Sequence, residues 1–410
     1  MYTNNFRRAM LGDTATLNLD FSAGTMPSSV TFTRADSTAR ATFINASGYV
    51  QTVTAAGDPR FDYTGGVAKG LLIEAAATNI AGESDNFLTT TLDWVSNSYT
   101  SSFLSTSLPT GSTGNSRQIS IASGSGSFRS KTLTVTASTQ YTFSFWARNN
   151  GGSQARYRVW NVTAGSSIVD HALSGSNYVS LIGGANNTSS TWVRISVTFT
   201  TPAGCTGIYI YPTSSDSGTV DLLVWGAQLE LGAQASSYIS NAGSQLTRLA
   251  DDAVIQSTAW TSLYAQPGAM VVEFYRGAYG AGDRSILSTD PTAARHWHLK
   301  NANASATAEI AFSAGSPVTQ TGLTAGLNKV AIAWNSPTPT ASFDLCVNGA
   351  TPTFGGSNVG TTLSTWLTLG SQSTTGVSGT GVWDGYLNNS IKSVKYYTGL
   401  TYAEMQAKTT

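Results

Sequence analysis

Apolar and polar residues alternate along most of the chain with the two-residue period of β-strands. The alternation is clearest over residues 141–146 and 192–199, where aromatic and β-branched side chains occupy every second position. Gly, Ser, Asn or Pro bounds each of these runs, as expected for strands joined by turns. The pattern therefore predicts antiparallel sheets with one face on a core and the other face outward.

The spacing of the strands predicts three regions. Residues 1–80 hold short strands and a core that is small for their length, so we expect this N-terminal attachment segment to dock on a neighbouring domain or subunit. Residues 81–245 suit a two-sheet jelly roll, and residues 246–410 suit a second sandwich. The predicted fold class is all-β, with two antiparallel β-sandwich domains preceded by a small N-terminal β-rich segment.

Three local signals refine this division. The polar segment 240–252 is the best linker candidate. Asn348 with Gly349, between two strand-like runs, predicts a tight hairpin turn. Thr401 and Glu404 have the spacing of a capping box, which predicts one short helix at the C-terminus.

The composition excludes several classes of protein. Charged residues make up 11% of the chain, against about 25% for an average domain, and 22 basic and 22 acidic side chains cancel. This balance lacks the positive field of a nucleic-acid-binding protein. Cys205 and Cys346 are far apart in sequence and form no disulfide framework or CxxC pattern. No apolar run approaches the length of a membrane span, and we expect no signal peptide.

Two groups of short motifs stand out along the chain. The first group comprises Thr31-Phe32-Thr33-Arg34-Ala35, Pro59-Arg60-Phe61-Asp62-Tyr63, Gly70-Leu71-Leu72-Ile73-Glu74, Thr78-Asn79, Asp85-Asn86-Phe87 and Trp94. The second comprises Trp225-Gly226-Ala227-Gln228-Leu229-Glu230, Ser237-Tyr238-Ile239, Thr247-Arg248 and Ala250-Asp251. In this order they resemble motifs of bacteriophage virion proteins found among tail-fibre, spike and head-fibre components. The resemblance covers nearly the whole chain.

The resemblance implies an architecture and a location. Residues 81–245 look like a jelly roll of the carbohydrate-binding-module type. Residues 246–410 look like a concanavalin A-like, laminin-G-type sandwich, with supporting motifs at 328–334, 347–349, 367–370 and 383–386. The resemblance thus implies a structural protein of the virion with a surface-binding role. Such motifs identify architecture better than function, because sandwich folds host many unrelated activities.

Residues for catalysis or for a cofactor are not visible in the sequence. A glycosidase would need two carboxyl groups that face one cleft, whereas Glu230 and Glu273 each lie alone between apolar residues. Asp251-Asp252 reads as part of a polar linker. His296 and His298 share a strand face without a visible third zinc ligand. We therefore predict no enzyme, no catalytic residue, no metal site and no cofactor.

Aromatic side chains on the polar faces of the jelly-roll strands are the candidate ligand-binding residues. An aromatic ring beside Arg, Asn or Gln can stack on a sugar ring while the polar groups bind hydroxyls. The residues that fit this chemistry are Trp146, Trp160, Trp192, Arg158, Tyr209 and Tyr211. An adjacent domain or subunit could instead cover these side chains, since interfaces are enriched in aromatic residues and Arg. The sequence favours this second interpretation.

Two functions remain open at this point. The favoured one is a non-enzymatic component of a phage head, neck, tail fibre or spike, which assembles with other virion proteins and forms a homo-oligomer, with a trimer favoured. The alternative is a receptor-binding, lectin-like adhesin that binds polysaccharide on the host surface. The missing acidic pairs disfavour a depolymerase. Neither nucleic acid nor membrane insertion is expected.

Overall fold

The computed structural model shows a chain built almost entirely of antiparallel strands. It describes residues 15–85, 87, 94–97, 100–121, 125–152, 154–174, 191–215, 219–264, 267–277, 283–289, 297–302, 305–312, 316–334, 340–359, 366–371 and 385–410. The predicted all-β fold class is confirmed.

Short strands form the N-terminal region. They are β1 (Leu17–Asp20), β2 (Val30–Thr33), β3 (Thr42–Ile44), β4 (Val50–Thr52), β5 (Phe61–Thr64), β6 (Val67–Ile73) and β7 (Ala77–Asn79). Two antiparallel hairpins arise from them, β3 with β4 and β5 with β6.

The middle region forms the facing sheets of a sandwich. Its strands are β8 (Trp94–Asn97), β9 (Thr100–Ser107), β10 (Thr113–Ile121), β11 (Gly126–Ser130), β12 (Leu133–Thr134), β13 (Gln140–Asn149), β14 (Gln154–Asn161), β15 (Ser166–Ser174), β16 (Val193–Thr200), β17 (Gly207–Tyr211), β18 (Thr213–Ser215) and β19 (Val220–Leu231). A five-stranded sheet has the order β16-β13-β19-β10-β9. Opposite it lie a four-stranded sheet, β12-β17-β14-β15, and a three-stranded sheet, β18-β11-β8.

The C-terminal region supplies most of a second sandwich. Its strands are β20 (Leu246–Arg248), β21 (Asp252–Gln256), β22 (Gly268–Arg276), β23 (Arg284–Thr289), β24 (Trp297–Asn301), β25 (Thr307–Phe312), β26 (Val318–Thr321), β27 (Gly326–Trp334), β28 (Thr340–Val347), β29 (Thr353–Val359), β30 (Trp366–Leu369) and β31 (Asn389–Tyr397). The helices are α1 (Ser257–Tyr264) and α2 (Tyr402–Thr409). Neither helix, in the part of the chain that the structure describes, could cross a membrane.

The N-terminal strands are inserted into the sheets of this second sandwich. β1 and β6 both pair with β31, and β2 pairs with β21. β6 approaches β31 so closely that a Cβ at Gly70, whose φ is +101°, would lie 2.2 Å from the backbone oxygen of Ile391. The neighbour on which the first region docks is therefore the C-terminal region of the same chain, and strands from both ends build one sandwich.

Each sandwich has its own core. The core of the second sandwich combines Leu19, Phe21 and Leu71 from the N-terminal region with buried residues such as Trp297 and Trp334. Burial of each such large apolar side chain contributes about 1.5–3 kcal/mol, so the N-terminal strands are a structural part of this sandwich. The core of the jelly roll is separate from this one. It contains aromatic and aliphatic side chains from the five-stranded sheet and from the sheets opposite it.

The predicted turn at Asn348-Gly349 and the predicted C-terminal helix are confirmed. Asn348 and Gly349 have φ values of +46° and +75° and join β28 to β29. At α2 the carboxylate of Glu404 accepts a hydrogen bond from the backbone N–H of Thr401 at 2.9 Å. Helix α1 was not predicted, because its aromatic and β-branched residues also suit a strand. Tertiary packing decides its form: Trp260 is completely buried and stacks on Tyr264 one turn later.

A buried ion network joins the regions of the chain. It consists of Arg34, Asp36, Arg60, Glu74, Arg248 and Asp251. Asp251 accepts from Arg34 Nη1 at 3.0 Å and from Arg60 Nη2. Glu74 Oε2 accepts from Arg60 Nη1 at 2.6 Å and lies 3.3 Å from Arg248 Nη2. Three guanidinium groups and three carboxylates thus neutralise each other inside the protein.

The linker interpretation of residues 240–252 needs correction. Asp251 is completely buried, its backbone N–H donates to Glu74 O at 3.0 Å, and β20 pairs with β7. The segment reads as a linker because the hydrogen-bonded partners of the Asp251 carboxylate, Arg34 and Arg60, are remote in sequence. The partner Arg34 lies 217 positions away.

Loss of one member of the network should destabilise the protein severely. Arg60→Met would leave two buried carboxylates without that partner, and we expect a loss of about 3–5 kcal/mol in the free energy of unfolding. Urea denaturation monitored by tryptophan fluorescence measures it. The matched control is Lys392→Met, which removes a partly exposed ion pair with Glu273 and should cost less than about 1 kcal/mol. Equal effects of the two substitutions would contradict the assignment.

Candidate functional site

Four of the six sequence-predicted residues lie together on the outer face of the four-stranded sheet. Arg158 and Trp160 on β14 are the cross-strand partners of Tyr211 and Tyr209 on β17. Val159 on β14 and Ile208 and Ile210 on β17 point into the jelly-roll core and are completely buried. Since side chains on a strand alternate between faces, the four predicted residues share the side away from the core.

Two further arginines complete this surface. The guanidinium carbon of Arg129, on β11, lies 3.8 Å from the centre of the Tyr209 ring. Arg156 precedes Arg158 by two positions and shares its face. We call the surface formed by Arg129, Arg156, Arg158, Trp160, Tyr209 and Tyr211 the aromatic–arginine face. Arg129 was missed as a site residue because it belongs to another sheet, and no sequence pattern connects β11 with β17.

The rings and guanidinium groups of this face hold one another in place. Arg158 lies 6.0 Å from the ring centres of both Trp160 and Tyr211, and the rings of Tyr209 and Tyr211 meet edge to face at 6.4 Å. Such cation–π and edge contacts reduce the freedom of the side chains before any ligand arrives. The face is therefore pre-organised, with the rings of Trp160 and Tyr209 half-buried and the ring of Tyr211 buried.

One carboxylate belongs to the same surface. Asp170 on β15 accepts from Arg156 Nη2 at 2.6 Å and lies 3.2 Å from Arg158 Nη2. Burial raises the pKa of Asp170, but the hydrogen bond from Arg156 and the two positive charges outweigh this effect and hold the pKa below its usual value. Asp170 is thus ionised at neutral pH and orients both arginines.

The remaining two predicted residues lie on the opposite, five-stranded sheet. Trp146 on β13 is buried in a cluster with Val50, Trp225 and Tyr238, so another part of the same chain covers it. Arg194 lies 4.6 Å from its ring. Close packing explains the glycine of the Trp225-Gly226 motif, because a Cβ at Gly226 would lie 2.7 Å from the Trp146 ring.

Trp192 is half-buried and tied to the backbone. Its Nε1 donates to Ser107 O at 2.7 Å, and Arg148 lies 5.3 Å from its ring. Trp192 packs beside the Trp146 cluster. The structure therefore does not bring Trp146 and Trp192 together with the other four predicted residues.

A pocket opens where the N-terminal region meets the jelly roll. It has a volume of about 320 Å³, and Trp146, Arg194, Asp62 and Glu74 are among its lining residues. Two acidic groups thus approach one cavity, which raises the question of acid–base catalysis. Asp62 Oδ2 is paired with Lys69 Nζ at 3.2 Å and its Oδ1 accepts from the backbone of Ile44.

Glu74 is held as a carboxylate in this pocket. Burial raises its pKa, but the charges of Arg248 and Arg60 and hydrogen bonds from Ser237 lower it to about 2. The same attraction raises the pKa of Arg60 against the effect of burial. A general acid needs a pKa near the working pH, so Glu74 is suited to an ion pair and not to proton donation.

Metal ligands do not converge in the described stretches. No three His, Cys, Asp or Glu side chains lie close enough together there to hold an ion. Of the histidine pair considered from the sequence, His298 is buried in β24 and His296 lies outside the described residues.

Comparisons with known proteins bear on the middle of the chain. Residues 82–218 match the carbohydrate binding domain family. The matched region is about a third of the chain and contains every residue of the aromatic–arginine face. No curated protein matches the sequence significantly.

One of the solved structures to which this chain is similar is a tandem of two carbohydrate-binding modules. It is the N-terminal CBM22-1–CBM22-2 tandem domain of Xyn10C from Paenibacillus barcinonensis, with 9% identity and a TM-score of 0.26. The alignment covers 79% of this chain and 98% of that one. A TM-score this low does not establish a common fold over the aligned length.

The ion network makes stability depend on pH in the acid range. Glu74 has a folded pKa of about 2 against an ordinary value of 4.5, so its contribution is complete above pH 4.5 and is lost as the pH falls towards 2. The shift corresponds to on the order of 3 kcal/mol. Urea midpoints between pH 7 and pH 2 should fall more steeply for the native protein than for Glu74→Gln. Parallel pH profiles would contradict the assignment.

Proposed function

We propose that this protein binds carbohydrate without catalysis, through the aromatic–arginine face of its jelly roll. The proposal rests on the position of this face in the sequence. The residues that match the carbohydrate binding domain family include the whole of this face, on which three aromatic rings lie among guanidinium groups. The alternative that the sequence left open, a lectin-like protein, is thus the better-supported function.

The chemistry of the face suits a sugar. Trp160 and Tyr209 are cross-strand partners on neighbouring strands, so their side chains lie side by side on the outer face, and we call this pair the platform. Sugar rings present C–H groups on their faces and hydroxyls at their rims. The platform accepts the ring face, while Arg158 and Asp170 lie beside it to bind hydroxyls.

The charged residues that could suggest an enzyme are engaged elsewhere. Glu74 is ion-paired with Arg60 and Arg248. Glu230 accepts from the backbone N–H of Ser236 at 3.1 Å and is buried. These contacts favour structural roles and support a protein that binds without cleaving its ligand.

Substitution of either platform residue should weaken binding. We expect Trp160→Ala and Tyr209→Ala each to weaken glycan affinity at least about tenfold, because each removes apolar contact with the sugar. A glycan array identifies ligands, and calorimetric titration measures the affinities. The matched control is Trp192→Ala, on the other sheet, which should keep the native affinity.

Two results would overturn this assignment. Loss of binding in Trp192→Ala with retention in Trp160→Ala would move the site to the five-stranded sheet. An array and titrations with no bound glycan, for a protein whose circular dichroism shows native sheets, would refute carbohydrate binding altogether.

A second candidate function is a structural part of a bacteriophage virion. It is supported by the motifs that resemble virion fibre and spike proteins, because Arg34, Arg60, Glu74, Arg248 and Asp251 of these motifs meet in the buried ion network. A buried ion network that holds the N-terminal segment against two sandwiches suits a component of a virus particle. In this role the chain assembles with other virion proteins as a homo-oligomer, with a trimer favoured, and is located in the virion.

Particle composition tests this second function. We expect quantitative mass spectrometry of virions purified from the source of the sequence to find the chain in fixed proportion to the major particle proteins. Light scattering of the isolated protein should give three times the mass of one chain. Virions that lack the chain would refute the role in the particle without affecting carbohydrate binding.

A further inference from the structure

The aromatic–arginine face collects positive charge in a chain whose charges balance overall. Arg129, Arg156 and Arg158 lie on this one surface, whereas the whole chain has 22 basic and 22 acidic residues. Asp170 forms ion pairs with Arg156 and Arg158. Arg129 does not take part in these ion pairs.

Arg129 is the distinctive member of the set. Among the described residues it has no ion-pair partner, and its Nη1 donates to the backbone oxygen of Ser130 at 3.0 Å. Its guanidinium stacks on Tyr209. A stacked guanidinium presents the N–H groups of its edge, the geometry that matches a carboxylate with two parallel hydrogen bonds.

The strand that carries Arg129 is fixed to the platform. Ile210 N, on the strand of Tyr209 and Tyr211, donates to Ser130 Oγ at 3.1 Å. The neighbouring residue Phe128 is completely buried in the jelly-roll core. Arg129 therefore keeps its position beside the Tyr209 ring, and its charge is available where a sugar on the platform would project its substituents.

We propose that the face binds an acidic glycan, one whose sugar rings carry carboxylate groups, and that Arg129 binds the carboxylate. The inference rests on the proposed carbohydrate binding and specifies its ligand class. The rings of Trp160 and Tyr209 supply contact with the sugar, and the arginines supply the preference for the charged form. A neutral polysaccharide would leave the charge of Arg129 uncompensated.

Paired oligosaccharides test the ligand class with the full chain. The probes are oligomers of galacturonate, glucuronate and mannuronate, each compared with its carboxyl-reduced form, which keeps the ring and the linkage. We expect at least one uronate oligomer to bind about tenfold more tightly than its reduced form. The difference should shrink between about 50 mM and 500 mM salt, because screening weakens exposed charge pairs.

Arg129 variants test the residue assignment. In Arg129→Gln the ratio of the affinity for the uronate form to the affinity for the reduced form should fall to about one. Arg129→Lys should keep part of the preference, because lysine retains the positive charge but not the two parallel N–H donors of a guanidinium. Lys395→Gln, which removes one positive charge from the C-terminal region, is the control and should behave like the native protein.

The outcomes separate this inference from the function on which it rests. Equal binding of uronate and reduced forms, or binding of neutral glycans with no uronate bound, would overturn the acidic preference and leave carbohydrate binding intact. A preference that survives in Arg129→Gln would overturn the role of Arg129. Absence of binding to every glycan would refute the proposed function itself.

Discussion

The pairing of three arginines with three carboxylates inside the protein is the interaction on which the arrangement of the chain depends. Removing charged groups from water costs several kcal/mol for each ion, and only close, balanced pairing offsets that cost. Arg34, Arg60 and Glu74 come from the N-terminal region, and Arg248 and Asp251 come from the segment after the jelly roll. No part of this set can be buried without the others, so the distant segments must come together in one register.

Because the ion network holds the N-terminal region against the jelly roll, the two outer faces of the jelly roll differ in what covers them. The five-stranded sheet lies next to the N-terminal region, which covers Trp146 with Val50, while Tyr238 from the chain beyond β19 packs on the same ring. The four-stranded sheet carries Trp160 and Tyr209 on the side away from the core. Two tryptophans with the same polar-face pattern therefore have different surroundings: Trp146 packs inside the protein, and Trp160 belongs to the proposed ligand-binding face.

Many of the motifs that resemble those of virion proteins supply contacts between distant segments of the chain. Five of their charged residues belong to the ion network: Arg34, Arg60, Glu74, Arg248 and Asp251. Asn79 donates hydrogen bonds to the backbone oxygens of Ala227 and Ile239. These are contacts between segments, so the motifs describe how the regions are connected. The aromatic–arginine face contains none of the motif residues. The ion network and the proposed ligand-binding face are thus formed by separate parts of the sequence.

The sequence alone determined the C-terminal helix, the Asn348 turn and strands such as β13, β16 and β27, because strand period, capping and turn chemistry are properties of neighbouring residues. It also placed Trp160 and Tyr209 on polar strand faces. Only the tertiary structure decided that Asp251 is buried, that Trp146 is covered and that Arg129 stacks on Tyr209. Each of these depends on a partner remote in sequence or on another sheet, and alternation along a strand contains no information about which distant segment faces it.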